Sequence, residues 1–227
     1  MIIEIKFTPL LTIAAMMMRY VFLIIFFIAV ISVRAQGVGT VIDTVIYYST
    51  HQLKARGKIN RSLKEGEWHF FYLSGKPSAK ENYVSGKLNG EVIYYFPDGS
   101  LQGKERWSNG FLLDSAFYYH QNGGIEKKGM YDNSQYAGEW RHYFKNGKLS
   151  RTVLYQKGLP EGEATVFSEG GILIQKGAYH LGKESGHWQF FDDDGMLEYE
   201  GDYREGKRVG VGYQYDKKGR KKIWKPD

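Results

Sequence analysis

Cysteine is absent from all 227 residues. Disulfides, thiol catalysis, thiolate zinc sites, iron–sulfur clusters and an anchor through a lipidated N-terminal Cys are therefore excluded, and stability has to come from packing. No stretch of useful length shows helical periodicity. No Gly-x-Ser-x-Gly elbow, phosphate loop or His-Glu-x-x-His motif occurs. The apolar run Tyr20 to Val33 has only 14 residues, shorter than a membrane span requires. Histidine is sparse and scattered, because His51, His69, His120, His142, His180 and His187 each fall at a different place of the repeat described below. Such scatter suits surface or cross-strand residues better than metal ligands, which need a fixed spacing.

What the chain does have is aromatics, 16% of residues, and 28 glycines spaced as punctuation. Both suit an all-β chain of many short strands. Gly138-Glu139-Trp140 recurs every 24 residues, as Gly66-Glu67-Trp68, Gly90-Glu91-Val92, Gly162-Glu163-Ala164 and Gly186-His187-Trp188. A glycine column follows at the tenth place (Gly75, Gly99, Gly123, Gly147, Gly171, Gly195, Gly219) and an aromatic one at the eighteenth (Tyr83, Trp107, Tyr131, Tyr155, Tyr179, Tyr203). Three columns in one phase identify a tandem repeat. Eight units fill residues 42–227, the first and last atypical as capping units are.

Ahead of the repeats, Arg19, the apolar run and Val33-Arg34-Ala35 read as a signal peptide over residues 1–35, cleaved after Ala35, with 36–41 as a linker. A start at Met16, Met17 or Met18 would make residues 1–15 a wrongly assigned extension. The alternative is an uncleaved N-terminal membrane anchor. Removing residues 1–35 would lower the net charge from +6 to +4.

Each unit reads as a β-hairpin. Places 2–7 form one strand, places 11–18 the next, and the loop between them has three residues ending on the left-handed Gly of place 10. The even places then share a face, with the place-6 aromatics Phe71, Tyr95, Tyr119, Tyr143, Phe167 and Phe191 opposite Leu or Ile at place 12, and this face is expected to be the core. The same register sets Glu67 opposite Glu81 and Glu91 opposite Glu105, a misfit that points either to pairing that ends before place 2 or to a register shift there. The odd face becomes the candidate binding face. It pairs the aromatics Trp68, Phe70, Tyr94, Tyr118, Trp140, Trp188 and Phe190 with a lysine column at place 15, Lys80, Lys104, Lys128 and Lys176. Catalytic, cofactor and metal residues are not expected. The place-2 glutamates repeat too regularly for an active site, and Asp192-Asp193-Asp194-Gly195 falls where every other unit turns.

The unit G-E-W-x-x-Y-x-x-N-G-x-L followed by Y-x-x-G-K resembles the bacterial variant of the MORN repeat. Asp114-Ser115 in place of Gly-Glu and Ser134 in place of the Gly at place 21 are its departures. The resemblance implies hairpins stacked into an elongated, twisted antiparallel sheet that serves as a binding scaffold for proteins or membrane lipids, in proteins often described as antitoxin components. The expected function is a non-enzymatic, periplasmic or secreted scaffold for a protein or peptide partner. The alternatives are binding of envelope glycan or anionic lipid through the aromatic and lysine stripes, helped by the basic 217–225 segment, or an antitoxin-like role opposite a toxin. An exported chain is not expected to bind nucleic acid.

Overall fold

The structure is a computed structural model that describes residues 40–224; the signal peptide and most of the linker read from the sequence lie outside the described residues. Eighteen strands run from Val41–Tyr47 to Lys221–Trp224 without a helix. They pair antiparallel as a meander, in which the short Lys87–Leu88 and Gly90–Tyr95 share one partner and Phe111–Leu112 and Asp114–Tyr119 share another, and the sheet does not close. The all-β repeat architecture is thus as the sequence implies.

Two hairpins alternate along the meander. Within a unit the loop has three residues: Tyr72 N–H donates to Lys76 O and Gly75 N–H to Tyr72 O, with Gly75 at φ +84. Between units the connection is a two-residue turn with both residues left-handed, such as Ser85 and Gly86 between the paired Val84 and Lys87. That geometry matches the strand twist. Asn133 and Ser134 adopt it without any glycine, at φ 47 and 63. Turns of successive units are stitched together, since Gly86 N–H donates to Lys64 O, Gly110 to Leu88 O, Ser134 to Leu112 O and Gly158 to Tyr136 O. At the other end of the hairpins Tyr48 Oη donates to Phe71 O and Tyr72 Oη to Tyr95 O, each at 2.7 Å. These bonds satisfy backbone carbonyls that a single-layer sheet leaves near solvent.

The expected pairing of places 6 and 12 is present, as Phe71 with Pro77, Tyr95 with Leu101 and Tyr143 with Leu149. One residue further in, the register shifts: Phe70 faces Ala79 and Tyr94 faces Gly103. A bulge at place 13 accounts for the shift and removes the Glu67–Glu81 clash, because Glu67 now faces Asn82. A one-residue slip exchanges faces. Places 14, 16 and 18 of the second strand therefore join places 3 and 5 of the first, while the place-15 lysines cross to the other side.

The expected even-face core is corrected accordingly. The place-6 aromatics are only half-buried. The buried side chains sit at place 3 (Trp68, Val92, Ala116, Trp140, Ala164, Trp188), at places 14 and 16 (Ala55, Ala79, Val153, Tyr199) and, at Leu112, at place 23. Each Trp lies flat on the bare backbone of a glycine in the preceding unit. A Cβ added to Gly57, Gly129 or Gly177 would stand 2.3, 2.3 or 2.1 Å from the ring of Trp68, Trp140 or Trp188. The indole N–H then donates to the carbonyl of the next residue, Lys58, Met130 or Ala178, at 2.9–3.0 Å. Opposite each of these glycines the strand spends three residues, and Gly66, Gly138 and Gly186 enter that stretch at positive φ. Asp114 fills the same position at φ 64, a conformation that Asp tolerates better than most side chains.

Where place 3 is small, the residue before it at place 16 is larger: Val153 faces Ala164 directly. Trp140→Ala should therefore cost about 3–5 kcal/mol, and Gly129→Val about 1–3 kcal/mol by overpacking. The double variant copies the Val153–Ala164 arrangement and should be more stable than the sum of the two losses by about 1 kcal/mol or more. Urea unfolding of the four proteins measures this, and strict additivity would refute the interlock.

Candidate functional site

The structure divides the sequence-derived binding face. Trp68, Phe70, Tyr94, Tyr118, Trp140, Trp188 and Phe190 do share one side of the sheet, the tryptophan face. Lys80, Lys104, Lys128 and Lys176 lie on the opposite side, because the place-13 bulge reverses the second strand. There Lys80 Nζ is 2.7 Å from Glu67 Oε2, and Lys128 Nζ stands 5.8 Å from the centre of the Tyr143 ring. Both members of the Lys80–Glu67 pair are well exposed, so it adds little to stability.

Within the tryptophan face the expected accessibility of the tryptophans is also corrected. Trp68, Trp140 and Trp188 are 0%, 0% and 3% exposed. No second layer covers them; their own sheet does. Around Trp140 the rings of Tyr136 and Tyr131 meet it edge-on at 4.4 and 5.0 Å. Around Trp188 stand Tyr179, Phe190 and Tyr203 at 5.2–6.2 Å. Trp68 is closed by Phe70 and by Lys64, whose Nζ lies 4.5–4.9 Å above the rings of Phe70, Tyr83 and Trp68. Burial among these rings holds the Lys64 pKa below its ordinary value, with Glu81 acting in the opposite sense. The tyrosine column at place 18 is thus part of this face, which sequence parity had assigned to the other.

Beside these rings a row runs through places 5 and 14 from Leu53–Asn60 to Lys207–Tyr215, partly accessible but with Ala55, Ala79 and Tyr199 buried within it. Its members are successive cross-strand partners: Ala55, Phe70, Ala79, Tyr94, Gly103, Tyr118, Lys127, His142, Arg151, Val166, Gln175, Phe190, Tyr199 and Gln214. Aromatics alternate with small residues at the start, and three basic residues stand together in the middle. Phe70, Tyr94, Tyr118 and Phe190 are half-buried. Tyr118 Oη donates to Glu105 Oε1 at 2.6 Å, and Trp107 Nε1 donates to Glu105 Oε2 at 3.0 Å. Burial first, and then the bonds to Glu105 and Tyr131, push the Tyr118 pKa far up. Sequence reasoning missed Lys64, Lys127, His142 and Arg151 because they belong to no repeated column; only the register places them in line.

Burial, with Arg151 and Lys127 adding their charge, lowers the His142 pKa to about 4. The Asp192 carboxylate accepts the N–H groups of Asp194 and Met196 at 3.0 and 2.8 Å, so it closes its own turn. Among the described residues no three His, Asp or Glu side chains gather as a metal site.

Two outcomes are expected in solution. With Trp107 and Trp224 replaced by Phe, the fluorescence of Trp68, Trp140 and Trp188 should resist iodide; quenching like that of free tryptophan would contradict their burial. His142 acts on stability with a definite sign. The unfolded chain takes up its proton near the ordinary histidine value of 6.5, whereas the folded chain refuses it until about 4, so stability should fall as pH drops through that window. His187, whose pKa is raised by Asp202 and Glu200, contributes in the opposite direction. Comparing urea midpoints of wild type and His142→Phe between pH 7 and 4 isolates His142, and the variant should lose less.

No curated protein sequence matches the chain. Similar solved structures include TarM, at 13% identity over 60% of this chain and 24% of that one with a TM-score of 0.29, and a GtfA/B complex bound to UDP and GlcNAc, at 11% over 58% and 26% with a TM-score of 0.23. The chain spans about a quarter of the length of each. A Bacteroides fragilis protein of unknown function matches at 12% identity over 83% of this chain and 91% of that one, with a TM-score of 0.12. Scores this low support no inference about function. The family model of the MORN repeat variant matches four segments, 64–85, 88–109, 137–157 and 184–205. Three of the four contain the buried tryptophans, and the units carrying Ala116 and Ala164 fall outside them. MORN repeats are in general protein- or membrane-binding modules. With its hairpin units, its 24-residue phase and these four matches, this repeat chain carries MORN repeats of the variant type within residues 64–205.

Proposed function

We propose that the chain is a non-enzymatic scaffold, exported after loss of residues 1–35, that holds a protein or peptide partner against its tryptophan face. One observation carries this reading. The core of that face is already sealed by the Trp-on-Gly contacts, yet Phe70, Tyr94, Tyr118 and Phe190 stay half-buried above it in one row. Half-buried aromatics in line are the residue type that anchors protein contacts.

The glycan or anionic-lipid reading relied on aromatics and lysines sharing a surface. The lysine column faces away from these aromatics, and Lys80 is already paired with Glu67, so the protein reading is favoured. An antitoxin-like role would be one case of it, with a toxin as the partner.

Capture of partners from the cell envelope tests the proposal. A protein retained by the wild-type chain should be retained about tenfold less by Tyr94→Ala or Phe190→Ala, a loss of about 1.4 kcal/mol in keeping with a partial anchor. Lys104→Ala, on the opposite side, should leave retention unchanged. The reverse pattern would move the site to the lysine face and end this assignment.

A further inference from the structure

The basic centre of the tryptophan face has no counter-charge of its own. Lys127 faces His142, and His142 faces Arg151, on three adjacent strands. With strands about 4.8 Å apart, the three groups span about 10 Å. No carboxylate forms an ion pair with any of them among the described residues. Glu105, near one end of the row, is taken up by Tyr118 and Trp107, and Glu126 is an exposed residue beside Lys127. Lys127 Nζ is held over the Tyr118 ring at 4.6 Å and 3.4 Å from Tyr136 Oη, so its position is set by rings and not by an acid. The acids that stand on this face at place 16, Glu81 and Glu105, belong to earlier units; in the units that carry the basic residues and the next one, that place is Gly129, Val153 and Gly177.

We propose that Lys127, His142 and Arg151 form the receptor for the carboxylates of an acidic peptide segment, lying along the row with apolar or aromatic residues on either side. This rests on the tryptophan face being the partner surface. An extended segment advances about 3.3 Å per residue and turns alternate side chains to the sheet, so two acidic residues one apart reach across the span. The next sheet-facing residues, two positions out on either side, then meet Tyr118 and Val166. A peptide fits better than a membrane because Lys127 and His142 are half-buried, Lys127 among the rings of Tyr118, Tyr136 and Trp140, where a planar headgroup surface cannot follow.

The test titrates the purified full chain with an acetylated Phe-Ser-Glu-Ser-Glu-Ser-Phe peptide, whose Phe and Glu side chains share one face, its Gln counterpart, and vesicles of phosphatidylglycerol in phosphatidylcholine. The acidic peptide should bind at least tenfold tighter than the Gln peptide. Its binding should raise the His142 pKa, read from the ring resonances, because a carboxylate favours the imidazolium. Lys127→Gln with Arg151→Gln should remove the preference for the acidic peptide, while Arg151→Lys should keep most of it and Lys128→Gln on the opposite side all of it. Unchanged urea midpoints confirm that the variants fold. Equal binding of the two peptides, no binding at millimolar concentration, or row-dependent binding of vesicles alone would each overturn the proposal. A captured envelope protein that needs Phe190 but not the basic row would also overturn it, and would leave the tryptophan face standing as the partner surface.

Discussion

An indole ring lying on a glycine backbone is the contact on which the rest of this sheet depends. A single-layer sheet has no second layer to bury its side chains, so a large ring can be shielded only if it lies flat and its neighbours close over it. Gly57, Gly129 and Gly177 give Trp68, Trp140 and Trp188 that floor, and the indole N–H is satisfied by a carbonyl of the same floor strand. Burying a ring of this size with its one donor paired avoids the cost of an orphaned polar group. The local register gives way to make this fit: three residues of the incoming strand oppose one glycine, and positive φ at Gly66, Gly138 and Gly186 absorbs the excess.

The unit length, the three-residue hairpin loop and its left-handed Gly75 were all legible in the sequence, because each depends on residues close together in the chain. The side of the sheet on which a residue lies was not. It depends on a bulge at place 13, where the residues vary (Ser78, Gln102, Glu126, Ser150) and none marks the extra residue. The one sign was indirect, the unfavourable opposition of Glu67 and Glu81 in an unshifted register. The pairing of large with small was also written in the chain, as Gly57 with Trp68 and Val153 with Ala164, but it spans 11 residues across a turn and a register shift. Column inspection within a unit does not reveal it.

Once the floor and ring are matched, the residues above them are released from core duty, and the units diverge there. Lys64 caps Trp68, Tyr136 caps Trp140, and Glu184 stands at the equivalent place before Trp188. The same framework therefore carries a cation, a phenol and an acid at one repeated place. The basic run in the middle of the face is a product of this freedom: the backbone row is uniform, and only its side chains change from unit to unit.

Stability follows the same logic along the array. Repeat proteins hold together through each unit's contact with the next, and here the contacts are unequal. Junctions at Trp68, Trp140 and Trp188 bury a whole indole, whereas those at Val92 and Ala116 meet Glu81 and Glu105 at the place the glycines occupy elsewhere. These acids cannot supply an apolar contact. They are satisfied instead by hydrogen bonds, Glu81 from Tyr83 and Glu105 from Tyr118 and Trp107, which return less than apolar burial does. The stretch from Gly90 to Asp132 is thus joined without the indole that seals the junctions at Trp68, Trp140 and Trp188, and it runs directly into the basic row, whose first member is Lys127. A partner bridging Tyr94, Tyr118 and the cations would add contacts across junctions that lack an indole of their own, so binding would tie these units together.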